Sequence, residues 1–353
     1  MNILLLGGTG VIGRALTAGL LERGDAVYVT SRQKHNDSDR LFYLHGNAME
    51  TPFLQSVCAM MRWDAIVDFM SYKTPEFSSR LSLLLSSAGQ YVFISTARVY
   101  ADLEHPIKET SPRLLDCTED KEYLASDEYA LTKARQENLL TGCGLHNYTI
   151  VRPCITYGDY RLQLGVMEKE EWLYRALKGR TVVFCKEIAD RITTMTLGAD
   201  ICRCLLQLVG NPKALGETIH LTSCYHLTWE QIWNIYADAI KSQKGVAPKL
   251  KYVSLNDFIE CRSSRLKYQV IYDRLYNRDY DVSKERLYVN PDTFVRPEVG
   301  LPKCLKTFIE HAKFKAINWK SEAKRDRLTG ERASMNEIHG VRNKIKYLYH
   351  RYC

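Results

Sequence analysis

Apolar residues recur along the first half of the chain in short continuous runs, separated by stretches whose apolar positions have helical spacing. The first run, residues 2–6, is typical of a strand that is buried on both faces. Further runs predict strands at residues 26–30, 41–44, 65–69, 91–95 and 148–152. The intervening stretches predict helices at residues 14–23, 52–61, 76–87 and 129–140. Because strands alternate with helices of this length, we predict an α/β fold with a doubly wound parallel sheet.

The pattern becomes less regular in the second half of the chain. Amphipathic helices are predicted at residues 168–178 and 201–209, among short strands. The first predicted domain covers residues 1–160, and a segment near 192–222 rejoins it. A smaller mixed α/β region over residues 161–312 is expected to cap the substrate, and a basic tail over residues 313–353 is predicted to contain an amphipathic helix.

A glycine-rich segment joins the first predicted strand to the first predicted helix. Gly7 permits a tight turn, Gly10 lets the backbone approach a pyrophosphate, and Gly13 lets the helix pack closely on the strand. The alternative, a P-loop, is excluded because Arg14 and Ala15 stand where that motif needs Lys and Ser or Thr. We predict a Rossmann-type domain whose dinucleotide contacts come from Gly7, Thr9, Gly10, Val11, Ile12 and Gly13.

A second group of polar residues lies further along the chain. Tyr129 and Lys133 are four positions apart at the start of a predicted helix, so their side chains share one face. A lysine ammonium beside a phenol favours the phenolate and lowers the pKa of the phenol, which would make Tyr129 an acid/base near neutral pH. Ser95 and Thr96 end an apolar strand, where a hydroxyl can point into a cleft at the carboxyl edge of the sheet. Together with the glycine-rich segment, these residues predict an active site.

In these segments the chain resembles the extended branch of the short-chain dehydrogenase/reductase superfamily, which contains nucleotide-sugar epimerases and dehydratases. The matching segments are residues 7–13, 95–100, 129–137 and 152–158. The resemblance implies an NAD(P)-dependent epimerase or ketoreductase that acts on a nucleotide-activated sugar by hydride transfer at C4.

The resemblance also implies roles for individual residues. Tyr129 would be the catalytic acid/base, and Lys133 would tune it and bind the nicotinamide ribose. Thr96 would hydrogen-bond the reacting sugar oxygen. Asn47 stands where the family has a residue that contacts adenine, and Pro153 lies in a matching segment and is expected to contact the cofactor.

Departures from the family restrict the chemistry. Family 4,6-dehydratases have an Asp-Glu pair after the threonine, where this chain has Ala97 and Arg98. Without that pair, dehydration loses its acid and base, which leaves C4 epimerisation or the reduction of a keto sugar. We interpret Arg98 as a solvated charge. Residues 68–71 replace the family's His-Leu-Ala-Ala, and Arg191 loosely matches the arginine that contacts the substrate phosphates.

The end of the second predicted strand bears on the choice of cofactor. NAD enzymes usually place an Asp or Glu there to accept from the ribose 2′-OH, whereas an Arg accommodates the 2′-phosphate of NADP. This chain has Arg32 and Lys34 at that point, which favours NADP, with NAD as the alternative. Family epimerases typically recycle bound NAD, whereas NADPH suits net reduction, so epimerisation and reduction both stay open.

Composition indicates a soluble globular protein of the cytosol. No run approaches the roughly 18 apolar residues of a membrane span. The eleven cysteines are scattered without a Cys-x-x-Cys pair, which is typical of reduced thiols. The nine histidines lack the spacing of paired metal ligands, so no metal site is predicted.

Most of the net charge of +8 lies in the tail, where residues 313–353 include eleven Lys or Arg and four Asp or Glu. The tail also carries an apolar seam at helical spacing, formed by Ile338, Val341, Ile345, Leu348 and Tyr352. We expect the seam to dock on the chain's own body or on a second copy in a homodimer. The alternatives to such docking are contact with a membrane surface and contact with nucleic acid.

A non-enzymatic role is the second functional hypothesis. Some atypical members of the superfamily bind RNA or serve as structural subunits while they keep a dinucleotide site, and the basic tail would suit such a role. The complete set of Thr96, Tyr129 and Lys133 favours the enzyme.

Overall fold

The computed structural model describes residues 1–262 and 266–353 and divides into two compact units. The first unit comprises residues 1–156, 195–224 and 280–295, and the second comprises residues 157–194, 225–279 and 296–353. Two features differ from the predicted division. A further segment near residue 290 belongs to the first unit, and the basic tail is part of the second unit.

Strands and helices alternate along the first unit as the periodicity predicts. The strands of the described residues are β1 (Asn2–Leu6), β2 (Ala26–Ser31), β3 (Leu41–His45), β4 (Trp63–Asp68), β5 (Ala88–Ile94), β6 (Tyr148–Pro153), β7 (Ile155–Tyr157), β8 (Val182–Cys185), β9 (Ile192–Leu197), β10 (Glu217–Leu221), β11 (His226–Thr228) and β12 (Leu250–Val253).

The helices follow in the same numbering. Within the described ranges they are α1 (Val11–Glu22), α2 (Thr51–Ala59), α3 (Thr74–Ser86), α4 (Leu114–Cys117), α5 (Lys121–Ala125), α6 (Tyr129–Thr141), α7 (Leu173–Leu177), α8 (Lys186–Ala189), α9 (Gly198–Leu208), α10 (Trp229–Lys244), α11 (Leu255–Glu260), α12 (Lys267–Gln269), α13 (Pro297–Glu310), α14 (Trp319–Thr329) and α15 (Val341–Tyr352). None of these helices is both long and apolar enough to cross a membrane.

One helix is much shorter than predicted. The helix expected at residues 168–178 is reduced to α7, because the residues before it form a turn in which the Glu171 N–H donates to the Glu168 carbonyl at 2.8 Å. Trp172 follows that turn and is buried, with its indole N–H donating to the Leu162 carbonyl at 3.1 Å.

Seven strands of the first unit form one parallel sheet in the order β10-β6-β5-β4-β1-β2-β3. The strand order reverses between β1 and β4, which is the topological switch point of a doubly wound sheet. The predicted Rossmann-type α/β fold is therefore confirmed.

The sheet is buried because its central strands are apolar on both faces. Ile3, Leu4, Leu5 and Leu6 of β1 are all fully buried. Because all seven strands are parallel, the carboxyl ends of β1, β4, β5 and β6 meet at one edge of the sheet, and the loops that follow them lie together there.

The second unit has its own aromatic core and a parallel pair of strands, β8 and β12. Trp172 packs on Tyr236 of α10, with ring centres 4.6 Å apart. A reciprocal cap between Thr228 and Gln231 begins α10, and Gly245 ends it in the left-handed conformation, with φ of +77°.

The tail is part of the second unit, but the expectation that its apolar seam docks on the chain's own body is wrong, and docking on a second copy stays a prediction. Of that seam only Ile338 is buried, whereas Val341, Ile345, Leu348 and Tyr352 of α15 are exposed. Tyr347 is the buried residue of α15. Its hydroxyl bonds to Asp326, and its ring packs edge-on against Trp319. This polar contact sets the rotation of α15 about its axis.

A buried ion network joins α14 to α7. Arg175 of α7 is fully buried and donates to Glu322 at 2.8 Å and to Asp326 at 2.7 Å. Arg180 lies within 3.5 Å of both carboxylates. The acidic residues of the tail therefore face the interior, where two arginines compensate their charge.

We expect the change Arg175→Met to lower the free energy of unfolding of the second unit by about 3–5 kcal/mol, because two buried carboxylates lose their main partner. Urea denaturation followed by tryptophan fluorescence measures this, since four of the five tryptophans, Trp172, Trp229, Trp233 and Trp319, lie in the second unit. Lys306→Met, at an exposed site on α13, is the matched control and should leave stability nearly unchanged. Equal midpoints for the two variants would contradict the network's role.

Candidate active site

The glycine-rich loop lies between β1 and α1 at the carboxyl edge of the sheet. Gly7 has φ of +70°, and its N–H donates to Thr30 Oγ1 at 2.9 Å. A Cβ at Gly13 would lie 2.2 Å from the Gly8 carbonyl oxygen, so only glycine allows α1 to approach the loop this closely. A Cβ at Gly10 would meet nothing within 4 Å, which leaves the space beside it open.

The start of α1 is suited to bind an anion. Gly10 is its N-cap and offers no side-chain acceptor to the N–H groups of the first turn. Thr9, Gly10 and Val11 are exposed at this point, with Ile12 half-buried beside them. Since the helix dipole places partial positive charge there, these residues fit the pyrophosphate of a dinucleotide.

A pocket of about 450 Å³ extends from the loop toward the end of β2 and the first half of β3. It is lined in part by Gly8, Thr9, Arg14, Gln33, His35 and Tyr43. The His35 ring stacks on Tyr43 with centres 4.5 Å apart. Arg32 and Lys34 are exposed in the same segment, directly after β2. Sequence reasoning treated Arg14 only as a residue that excludes a P-loop and missed its place in the lining of this pocket.

Two further predicted cofactor contacts lie near the strand ends. Asn47 follows β3 and uses its side chain locally, because Oδ1 accepts from the Met49 N–H at 3.1 Å and Nδ2 donates to Glu50 at 3.2 Å. Pro153 is the last residue of β6. Their contacts with the cofactor stay predictions.

Thr96 and Tyr129 are linked through Arg98. Thr96 follows β5, and its Oγ1 accepts from the Arg98 N–H at 3.2 Å. Tyr129 is the first residue of α6 and is 42% exposed, with the Arg98 guanidinium 5.5 Å from its ring centre. Arg98 also pairs with Glu128, the N-cap of α6, at 2.5 Å, and its side chain is only 18% exposed. The interpretation of Arg98 as a solvated charge is therefore wrong.

Lys133 lies one turn further along α6 and is buried. Its Nζ donates to the Ile94 carbonyl oxygen at 2.7 Å and lies 4.4 Å from the centre of the Phe93 ring. Burial lowers the pKa of Lys133 to about 8, against the attraction of Asp68 and Glu137, which raises it. Lys133 thus joins α6 to the end of β5, and its charge is sensitive to pH just above neutrality.

Glu137 is a buried residue of the site that sequence reasoning gave no role. Its carboxylate accepts two hydrogen bonds from Arg152, at 2.9 and 2.7 Å, and one from Arg113 at 3.1 Å. Burial raises the pKa of Glu137, but the hydrogen bonds and charge of Arg152 outweigh it and hold the pKa below its usual value. Ser95 donates its hydroxyl to Glu137, so this hydroxyl does not point into a cleft as expected.

The same network continues into the interior of the first unit. Arg152 donates to the Tyr100 hydroxyl at 2.6 Å, and that hydroxyl lies 2.6 Å from Nε2 of His220. Burial lowers the pKa of His220, so its ring is neutral near pH 7. The network therefore holds β5, β6 and β10 together under the site.

Asp68 is the first residue of the segment 68–71, which replaces the family's His-Leu-Ala-Ala, and it has a structural role. It ends β4, is buried, and accepts from the Tyr91 hydroxyl at 2.8 Å and from the Met70 N–H at 2.9 Å. Burial raises the pKa of Asp68, and these donors offset only part of the rise. The Met70 sulfur would lie 2.6 Å from a Cβ at Gly7, so this segment packs directly on the glycine-rich loop.

Arg191, the second predicted substrate contact, lies in the second unit. It is exposed immediately before β9, and its backbone carbonyl accepts from the Trp229 N–H at 3.2 Å. Its contact with substrate stays a prediction.

Comparison with known proteins identifies the family. The model of the NAD dependent epimerase/dehydratase family matches residues 3–217, and the chain belongs to this family. It is 26% identical over 255 residues to a chloroplast stem-loop binding protein of 41 kDa from Arabidopsis thaliana, which covers 67% of this chain. It is 33% identical over 141 residues to a UDP-glucose 4-epimerase from Erwinia amylovora, which covers 32% of this chain. The chain spans 63% and 42% of the lengths of these two relatives.

Solved structures share the fold. A UDP-glucuronic acid 4-epimerase from Bacillus cereus, solved with UDP-glucuronic acid and NAD, superposes with a TM-score of 0.64 at 16% identity. The alignment covers 89% of this chain and all of that one. At this identity the comparison supports the extended Rossmann architecture and nothing finer.

The pKa of Lys133 predicts a specific dependence of stability on pH. Its folded value of about 8 lies below the usual 10.5, so between these pH values the unfolded chain binds more protons and stability rises with pH. We expect wild type to gain up to about 3 kcal/mol relative to Lys133→Met over this interval, as measured by urea denaturation at several pH values. Lys121→Met, at an exposed site in the same unit, should show no such relative change. Parallel curves for wild type and Lys133→Met would refute the shift.

Proposed function

We propose that the chain is an NAD(P)-dependent epimerase or ketoreductase that acts at C4 of a nucleotide-activated sugar. The observation that carries this proposal is the grouping of Thr96, Tyr129 and Lys133 at the carboxyl edge of a Rossmann sheet, the edge that also carries the glycine-rich loop. Membership in the NAD dependent epimerase/dehydratase family supports a redox step. A hydroxyl, a phenol and an ammonium are the groups that such a step requires from the protein.

Each side chain has surroundings that suit a distinct role. The nicotinamide, when bound, would accept or donate the hydride. Tyr129 is exposed at the start of α6 and would move the proton of the sugar hydroxyl. Lys133 has three N–H donors, of which the Ile94 carbonyl takes one, so others can bind ribose hydroxyls and favour the phenolate. Thr96 would hydrogen-bond the reacting oxygen and orient it.

The residues after Thr96 argue against dehydration. Ala97 and Arg98 supply no carboxylate. Glu128 is the nearby acid, but one oxygen is paired with Arg98 at 2.5 Å and the other accepts from the Ala130 N–H at 2.7 Å. An acid held this way orients Arg98 and caps α6, so the chemistry is limited to a hydride and one proton.

Cationic residues near the glycine-rich loop support NADP as the preferred cofactor. Arg14 lines the pocket, and Arg32 and Lys34 are exposed directly after β2, where an NAD enzyme usually has an acid. NAD stays the alternative, since the Bacillus cereus epimerase was solved with NAD.

We expect Arg32→Gln to weaken NADPH binding about 10- to 100-fold and to change NADH binding little, because a charge-assisted hydrogen bond to the 2′-phosphate is worth roughly 1.5–3 kcal/mol. Fluorescence titration with both cofactors measures this, with Lys121→Gln as a control for charge alone. Equal loss of affinity for the two cofactors would remove Arg32 from the 2′-phosphate site.

The substrate class rests on the relatives and on one residue of this chain. The Erwinia relative is named a UDP-glucose 4-epimerase, and the Bacillus structure contains UDP-glucuronic acid. Arg191, exposed in the second unit, is the residue proposed to contact the substrate phosphates.

The decisive experiment is NMR of UDP-, dTDP-, GDP- and CDP-sugars and of their 4-keto derivatives, each incubated with the protein with and without NADPH. Conversion that needs no added NADPH identifies an epimerase, and conversion that consumes NADPH identifies a ketoreductase. Tyr129→Phe should slow turnover by about 10²–10⁴-fold while cofactor binding persists. Tyr349→Phe, at an exposed site on α15, is the matched control. A Tyr129→Phe variant as active as wild type would contradict the assigned acid/base.

The Arabidopsis relative supports a second candidate function, the binding of structured RNA, because that protein is named a stem-loop binding protein. The exposed basic residues of the tail are compatible with it. Filter binding with stem-loop RNA distinguishes the two functions. Tight, salt-dependent retention together with no conversion of any nucleotide-sugar would favour RNA binding.

A further inference from the structure

The outer surface of the tail has an unbalanced positive charge. The acidic residues of the tail, residues 313–353, point toward the rest of the second unit, where they pair with Arg175 and Arg180. These four acids are Glu322, Asp326, Glu331 and Glu337. The exposed basic residues are Lys313, Lys315, Lys320, Arg327, Arg332, Arg342 and Lys346. Because the acids are turned inward, this surface keeps its positive charge.

An apolar stripe lies on α15 within this basic surface. It consists of Val341, Ile345, Leu348 and Tyr352, at positions i, i+4, i+7 and i+11, which fall on one line of a helix. Their exposed fractions are 74%, 63%, 41% and 61%. Residues 341–352 contain four Lys or Arg and no acid, and Arg342 and Lys346 lie exposed on the same helix. The helix is held in place by the buried Tyr347, so its stripe is presented in a defined orientation.

We propose that the stripe of α15 and its flanking cations dock the protein on an anionic lipid surface. A helix that combines aliphatic residues on one side with Lys and Arg beside them inserts its apolar side between headgroups, while the cations attract acidic lipids. One short stripe gives weak binding, so attachment is reversible and depends on salt.

A second copy of this chain and single-stranded nucleic acid would fit this surface less well than a lipid surface does. A second copy of this chain would place two basic faces together, and four partly exposed side chains cannot supply the roughly 800 Å² per partner of a stable interface. Single-stranded nucleic acid binds through bases stacked on aromatic rings. Tyr349 and Tyr352 are exposed on α15, but the other three residues of the stripe are aliphatic, and a lipid surface accounts for them better.

Co-sedimentation of the full chain with phosphatidylcholine vesicles, with and without phosphatidylglycerol, tests the proposal. We expect binding to the anionic vesicles only, and loss of that binding at high salt. Ile345→Glu should weaken binding about tenfold, because it places an acid in the apolar side of the helix. Arg342→Gln combined with Lys346→Gln should reduce the preference for anionic vesicles.

Val299→Glu is the matched control, since Val299 is 63% exposed on α13 of the same unit and the change in charge is identical. It should bind vesicles as wild type does. Thermal unfolding verifies that each variant is folded. The proposal is overturned by equal binding of wild type and Ile345→Glu, or by no binding to anionic vesicles. It is also overturned if Ile345→Glu instead abolishes a concentration-dependent dimer in ultracentrifugation, or abolishes retention of single-stranded RNA.

Discussion

The carboxylate of Glu137 is the buried contact on which the arrangement of the site depends. It accepts two hydrogen bonds from Arg152 of β6 and one from Ser95, which follows β5, so α6 is bound to two strand ends at once. A buried charge is tolerated only when its partners are complete, and removal of one partner typically costs about 3–5 kcal/mol. The position of α6 at the carboxyl edge of the sheet is therefore tightly specified.

The position of α6 determines where the side chains of Tyr129 and Lys133 lie. The first two turns of α6 carry Tyr129 and Lys133. Lys133 donates to the carbonyl of Ile94, the last residue of β5. Arg98 reaches Tyr129 from the segment after β5 and is oriented by Glu128. Arg98 thus lies against the Tyr129 ring, and Lys133 lies one turn further along α6. The arginine keeps its charge at every accessible pH, whereas the lysine, with a pKa of about 8, does not.

Local features of the sequence predicted the sheet and the glycine-rich loop. A buried parallel strand shows itself as a short apolar run, and a turn without room for a Cβ shows itself as a glycine, so each can be recognised within one short segment. The supporting contacts could not be predicted in this way. The partners of Glu137, Arg152 and Ser95, are 15 and 42 positions away in the sequence. Arg98 pairs with Glu128 across 30 positions. Contacts over such separations cannot be recognised from residue spacing within one helix or strand. Helix α15 was predicted, but its docked face depends on Tyr347 and Asp326, which are 21 positions apart. The hydrophobic pattern alone therefore selected the wrong face.

The near-ultraviolet absorbance of reduced nicotinamide, followed in a stopped-flow instrument, tests the central claim most directly. Protein loaded with NADP⁺ or NAD⁺ is mixed with a panel of nucleotide-sugars, and protein loaded with NADPH or NADH is mixed with their 4-keto derivatives. The arrangement of Thr96, Tyr129 and Lys133 predicts a change in this absorbance with at least one sugar, slowed by about 10²-fold or more in Tyr129→Phe. An absorbance that stays constant with every sugar, while fluorescence shows that the cofactor is bound, would contradict hydride transfer at this site.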